Sequence, residues 1–317
     1  MNSEKPLIKI NSKKIFNVEV DFDIFAFAEE DAKENNLVPK IDENYIFNPD
    51  LTRVILAALF NGQKMLIQGM HGTGKSTHIE QVAARLNWPS IRINFDSQIT
   101  RSDLVGKDVI SIKNGKQITE FKEGVIPYSL RRPVILILDE YDAIRTDVSF
   151  VMQRLLEQDG RFALLEENRI LEPHPYFRLF ATSNTLGMGD DLGIYHGTNL
   201  INQGQMDRWN IVYSLGYLDE KSELEILLAK APFLQQKINE NIAKSMILMA
   251  NLTRQSFKNG DLSNLMTLRT LINWAENYRI FGGIKESFKL TFFNKIVDDE
   301  KPILSEFFQR VFGEELN

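Results

Sequence analysis

Between residues 48 and 215, short apolar runs alternate with stretches in which apolar residues recur every three or four positions. The runs are Met65-Leu66-Ile67, Ile91-Arg92-Ile93, Val134 to Leu138, Phe177 to Ala181 and Ile211-Val212-Tyr213. Short apolar runs separated by helical patterns predict a parallel α/β sheet, here of five strands. The helical-period stretches are Leu51, Val54, Ile55, Ala58, Leu59; then Ile79, Val82, Ala83, Leu86; then Val148, Val151, Met152, Leu155, Leu156. Each predicts a helix with one face buried. The first has Asn48 to cap its free amides and Pro49 for its first turn, and Asn61-Gly62 ends it.

Two stretches break this alternation. In residues 107–124, Asn114-Gly115 separates Ile110 and Ile112 from Ile118 and Phe121, a strong hairpin signal. A second hairpin is expected from Phe162 to Leu171, turning near Glu166-Glu167-Asn168. Thr185 to Gln205 carries Gly187, Gly189, Gly193, Gly197 and Gly204 with little periodicity, the mark of a functional or disordered loop. After Gly216 only helical periods occur: Leu224, Leu227, Leu228; Ile238, Ile242, Met246, Met249; Leu265, Leu268, Leu271, Ile272, Ala275. The expected organisation is an N-terminal arm over 1–45 with scattered Phe22, Phe25 and Phe27, an α/β domain over 46–215, and an all-helical domain over 216–317.

Composition narrows the chemistry. The 317 residues fit about two domains, and 43% apolar residues suffices for a sizeable core. The absence of cysteine removes disulfides, thiolate nucleophiles and Cys-ligated metals. His71, His78, His174 and His196 form no metal-ligand spacing. A net charge of −6 argues against a dedicated nucleic-acid binder. Met1 to Ile10 lacks the apolar core of a signal peptide, and no run approaches the roughly 18 apolar residues of a membrane span. A soluble cytoplasmic protein is expected.

The chemistry-bearing signals follow the predicted strands. Gly69-Met70-His71-Gly72-Thr73-Gly74-Lys75-Ser76 has the P-loop spacing directly after a strand and at the start of a helix. Its glycines let backbone amides turn towards phosphates, Lys75 reaches the β and γ phosphates, and the Ser76 hydroxyl suits Mg²⁺. The run Val134 to Leu138 ends in Asp139-Glu140, at the sheet edge where α/β folds bind ligands. Asp139 would hold Mg²⁺ through water and Glu140 would polarise the attacking water; alone, such a strand end is equally compatible with a solvated edge. Another strand ends at Asn184, which can orient water, and Arg208 precedes the last strand, where it can neutralise charge on the γ-phosphate or form a surface ion pair. Arg269 stands near the start of a C-terminal helix.

In this order, P-loop, Asp-Glu strand end, asparagine-ended strand, arginine and helical tail, the chain resembles the AAA+ ATPases. The two hairpins resemble the helix-2 and pre-sensor-1 inserts of the branch containing MoxR-type ATPases and the magnesium chelatase motor. Residues Gln68 to Pro89, Asp103-Leu104-Val105-Gly106-Lys107-Asp108, Tyr195-His196-Gly197-Thr198 and Asn202 to Asn210 resemble the ATPase subunits of aerobic cobaltochelatases. The resemblance implies an AAA+ fold with a helical lid and ATP with Mg²⁺ as cofactors. It implies nucleotide binding by Gly69, Gly72, Thr73, Gly74, Lys75, Ser76 and Thr77, and metal binding by Ser76 and Asp139. Glu140 would be catalytic, Asn184 sensor 1, Arg208 the arginine finger and Arg269 sensor 2. Where these relatives tend to have proline before the sensor-2 arginine, this chain has Leu268.

The implied assembly is a homo-oligomer, a hexameric ring, working with a metal-adhesion-domain subunit and a large catalytic subunit that inserts Co²⁺ into hydrogenobyrinic acid a,c-diamide during cobalamin synthesis. A MoxR-type chaperone maturing another metalloenzyme is the alternative. A DNA-translocating ATPase would use Lys107, Lys113, Lys116 and Lys122 of the first hairpin, but Asp108, Glu120 and Glu123 lie among them.

Overall fold

The computed structural model describes residues 7–28, 36–96, 98–185 and 203–316. It divides into two compact units, one of which comprises the chain to Asp42, Phe47–Gly69 and Gly74–Leu215. The other comprises Glu43–Ile46, Met70–Thr73 and the chain from Gly216 onward.

The first unit runs β1 (Leu7–Ile10), α1 (Ser12–Phe16), β2 (Ile24–Phe27), α2 (Pro49–Phe60), β3 (Met65–Gln68), α3 (Lys75–Arg85) and β4 (Ser90–Asn94). It continues with α4 (Arg101–Leu104), β5 (Gly106–Lys113), β6 (Lys116–Glu123), α5 (Val125–Leu130), β7 (Ile135–Asp139) and α6 (Thr146–Leu156). Then follow β8 (Phe162–Leu164), β9 (Arg169–Leu171), β10 (Arg178–Ser183), α7 (Gln203–Met206) and β11 (Ile211–Ser214). Among the described residues, five strands form one parallel sheet in the order β11-β3-β10-β7-β4.

Neighbouring residues on these strands enter different cores, which explains why the runs are apolar without alternation. Leu66, Leu136, Leu138 and Ala181 pack on one face with Met152 and Leu155 of α6. Met65, Ile67, Ile135, Ile137 and Phe180 pack on the other with Leu51 and Ile55 of α2 and Ile79 and Val82 of α3. Burying each of the larger side chains, Ala181 apart, contributes roughly 1.5–3 kcal/mol. Because β10 lies between β3 and β7, the residue after Ser183 emerges beside both the loop after β3 and the carboxylates at and beyond the end of β7.

Both expected hairpins are present. Strands β5 and β6 pair from Gly106↔Glu123 to Lys113↔Lys116. Asn114 and Gly115, at φ 53° and 74°, form the two-residue turn between them. Strands β8 and β9 pair from Phe162↔Leu171 to Leu164↔Arg169, closing through Asn168. The N-terminal residues form an antiparallel pair, β1 with β2, and place Phe16, Val18, Ile24 and Phe27 in the core of α2 and α3.

The second unit contains α8 (Glu220–Lys230), α9 (Lys237–Asn259), α10 (Leu268–Phe281), α11 (Ile284–Thr291) and α12 (Lys301–Phe312). Its core is built on Leu227, Met246, Leu271, Trp274, Phe288 and Phe308. Helix α10 begins at Leu268 without a proline, because the Thr267 Oγ1 accepts the Thr270 amide at 3.1 Å and caps the first turn. Among the described residues no helix is long and apolar enough to cross a membrane.

Candidate nucleotide-binding site

The ends of β3, β7 and β10 bring together residues far apart in sequence. Gly69 turns the chain directly after β3. A Cβ there would stand 2.2 Å from the Leu215 carbonyl oxygen, so no larger residue fits. Lys75 opens α3 and is buried, and its ammonium donates to the Gly69 carbonyl at 2.5 Å and to Asn184 Oδ1 at 3.0 Å. Burial lowers its pKa to about 8, an effect that the nearby carboxylates of Asp142, Asp139 and Glu140 oppose.

Asp139 is almost saturated with donors. Its Oδ1 accepts the hydroxyls of Ser76 and Thr182, and its Oδ2 accepts Arg92 Nε at 2.8 Å together with Arg92 Nη2. Burial pushes this carboxyl up, but those hydrogen bonds and the Arg92 charge outweigh it and hold Asp139 below the ordinary range. Glu140 is different. Burial raises its pKa, and the charges of Asp139 and Asp142 raise it further. Its backbone is left-handed, at φ 55°, a conformation that costs a non-glycine residue energy and is concentrated at functional sites.

Asp142 is a residue that sequence reasoning missed. It is buried, and its Oδ2 accepts the amides of Asn184 at 3.0 Å and Thr185 at 2.9 Å as well as the Thr185 hydroxyl at 2.9 Å. That grip fixes the turn that aims Asn184 at Lys75.

The loop residues Met70–Thr73 group with the second unit. Tyr217 donates its hydroxyl to the His71 carbonyl at 3.0 Å, and the Arg254 guanidinium lies 4.1 Å from the centre of the Tyr217 ring. Arg254 is itself buried and paired with Glu223 at 2.8 Å. Gly72 sits at φ 72° with Thr267 so close that a Cβ would fall 2.4 Å from the threonine Cβ. The tip of the phosphate loop is therefore seated against the residue that caps α10. Arg269, second in that helix, is exposed.

Arg208 is held elsewhere. Its Nε donates to Glu157 Oε1 at 2.9 Å and its Nη1 to the Gly204 carbonyl, and neither partner belongs to the strand-end cluster. Most of the glycine-rich loop before it, including His196, lies outside the described residues.

Comparison with known proteins agrees with this geometry. The family model for an AAA domain of the dynein-related subfamily matches residues 64–193. The chain is 49% identical over 315 residues to the aerobic cobaltochelatase subunit CobS of Sinorhizobium sp., covering 99% of this chain and 93% of that protein. It is 29% identical over 128 residues to the protein CbbQ of Hydrogenophilus thermoluteolus, covering 40% of this chain and 46% of the other. Among solved structures it is similar to the RuvB Holliday junction branch migration motor of Thermotoga maritima, with a TM-score of 0.51 at 16% identity over 84% of this chain and 75% of that one. At that identity the last likeness concerns the fold alone, a P-loop α/β sheet followed by helices. A near-complete match at half identity, on a chain whose P-loop lysine meets the asparagine of a neighbouring strand end, shows the family: the chain belongs to the ATPase subunits of aerobic cobaltochelatases, within the AAA+ ATPases.

Proposed function

We propose that this chain is the ATP-hydrolysing motor subunit of a cobaltochelatase, driving Co²⁺ insertion into hydrogenobyrinic acid a,c-diamide in cobalamin synthesis. The observation that carries the reading is the 49% identity over 99% of the chain to a cobaltochelatase subunit. In this reading the chain is cytoplasmic and forms a homo-oligomeric ring, hexameric by family resemblance. It works with a metal-adhesion-domain subunit and a large catalytic subunit.

The roles of the site residues follow from their chemistry. Lys75, with the loop amides from Gly69 to Thr77, binds the β and γ phosphates. Ser76 and Asp139 are the residues to hold Mg²⁺: they are hard oxygen donors, and the Ser76 Oγ already meets Asp139 Oδ1, so an ion reaching one reaches both. Bound there, Mg²⁺ would neutralise phosphate charge. Glu140 accepts a proton from the attacking water, and Asn184, steered by Asp142, orients that water against the γ-phosphate. Arg208 acts on a neighbouring subunit's nucleotide and Arg269 reads the nucleotide state. The chain has no cysteine to hold Co²⁺, which is assigned to a partner as cargo.

The test is reconstitution of ATP-dependent Co²⁺ insertion with and without this chain. Dependence on the chain supports the reading, and an insertion rate independent of it sinks the reading. The likeness to CbbQ favours a second reading, a MoxR-type chaperone for another metalloenzyme. Co-purification with an oxidoreductase, and with no tetrapyrrole-binding subunit, would select it.

A further inference from the structure

Arg92 lies in an apolar run and belongs to none of the motifs, yet its guanidinium pairs with the Asp139 carboxylate. It stands on β4, at the edge of the sheet, opposite Ile137 of β7. Side chains two residues apart on a strand share a face, so Arg92, Ile137 and Asp139 all project to the side covered by α3. There the guanidinium meets two carboxylates. Its Nε and Nη2 both bond Asp139 Oδ2, and its Nη1 stands 3.5 Å from Glu80 Oε2 on α3.

The geometry points to Arg92 as a positioning residue for Mg²⁺ binding, which locks the Asp139 carboxylate with Oδ1 turned to Ser76. This rests on Ser76 and Asp139 as the Mg²⁺ ligands. A carboxylate on a free Cβ–Cγ bond presents either oxygen over a broad range of angles. Here the arginine fork claims Oδ2 and leaves Oδ1 shared by the hydroxyls of Ser76 and Thr182. Partners that orient a ligating side chain are typically worth about 10–100-fold in metal affinity.

A guanidinium near a dication repels it, so Arg92 alone would weaken Mg²⁺ binding. Glu80, next to it and balancing it, turns the charge into an ion pair whose net field is small, and the orientation of Asp139 remains. Replacing Arg92 alone would leave Glu80 as an uncompensated anion near the site and mask the loss.

The experiment therefore uses the charge-neutral pair Arg92→Gln with Glu80→Gln in the full chain. Binding of a fluorescent ATP analogue is titrated with and without Mg²⁺, alongside thermal unfolding. The expected result is a rise of about tenfold or more in the Mg²⁺ concentration for half-saturation, with Mg²⁺-free nucleotide affinity and unfolding temperature close to those of the unmodified chain. Arg92→Lys, which keeps the charge but gives up the fork, serves as the second variant and should give a smaller rise. Unchanged Mg²⁺ dependence in both would overturn the proposal, and tighter Mg²⁺ binding in the double variant would make Arg92 an obstacle instead. Asp139→Asn and Ser76→Ala are the reference variants: if neither alters Mg²⁺ dependence, the ligand assignment itself fails, independently of Arg92.

Discussion

Asp139 and Arg208 stand for two kinds of site in the same unit. Asp139 is 5% exposed and accepts hydrogen bonds from Ser76, Thr182 and Arg92, residues on three different elements. Arg208 sits on a short connection, with a third of its side chain exposed, and pairs with Glu157, a side chain of similar exposure. The first arrangement is finished within one chain and offers its groups in a fixed geometry, as electrostatic preorganisation requires. The second is a partly exposed ion pair on a short connection. A pair as exposed as Arg208–Glu157 is worth about 0–1 kcal/mol, so leaving it for another acceptor costs little. If the proposed roles hold, what acts on a chain's own phosphates is built in advance, and what acts across to another chain is only loosely held until that chain arrives.

The largest effect that could break this contrast is at Arg208. Arginine fingers contribute about 10³–10⁵ in turnover. Arg208→Ala should lose phosphate release on that scale at concentrations where the proposed ring would assemble, while ATP binding by isolated chains stays the same. Homomers of Arg208→Ala that hydrolyse ATP at the unmodified rate would remove the finger assignment. Next comes Glu140, where Glu140→Gln should lower turnover by about 10²–10⁴ with nucleotide still bound. Because burial, then Asp139 and Asp142, raise the Glu140 pKa, and because a base works only when ionised, the acid limb of turnover should lie above the ordinary glutamate range. An acid limb at or below that range would show that another group is titrating.

The contrast also separates what was legible in the sequence from what was not. The phosphate loop, the Asp139-Glu140 strand end and Asn184 were readable because each follows an apolar run whose end the topology fixes. The β5–β6 hairpin was readable because Asn114-Gly115 satisfies a backbone demand for positive φ. Arg92 was hidden inside an apolar run, since its meaning depends on β4 pairing with β7. Asp142 was hidden in the same way: the turn it grips lies 42 residues further along the chain. The β1–β2 pair escaped notice because each strand has only four residues, too few for a period to declare itself. Arg208 was located in the sequence, but Glu157 as its ion-pair partner could not be read there.

A middle-sized effect concerns Lys75. Burial brings its pKa down to about 8 in the nucleotide-free chain, whereas a bound triphosphate favours the charged amine. Nucleotide affinity should therefore be flat below pH 8 and fall by up to about tenfold per unit above it, until the bound-state pKa is reached. The stability of the free chain should move the other way. The unfolded lysine retains its proton up to about 10.5, so the unfolded state binds more protons between those values and folding gains as pH rises through that window. Calorimetric titrations of nucleotide at several pH values check the first expectation, and affinity that stays constant to pH 10 would place Lys75 away from the phosphates.

The smallest effect tests whether preorganisation extends to the tip of the phosphate loop. Tyr217 holds the His71 carbonyl at 3.0 Å, and Arg254, fixed by Glu223, packs on its ring. Tyr217→Phe removes one neutral hydrogen bond and keeps the ring and its contact with Arg254. Such a bond has a net worth of about 0.5–1.5 kcal/mol. If holding His71 shapes the loop for phosphate, the loss should appear as a roughly 2–10-fold weaker nucleotide affinity, at 1.4 kcal/mol per decade, with an unchanged acid limb of turnover. If affinity is unchanged while the unfolding temperature drops, the bond supports the helical unit and the loop tip needs no such hold. The contrast would then narrow: only the residues at the ends of β3, β7 and β10 would be set in advance, and the tip would join Arg208 among the parts that wait for a ligand or a neighbour.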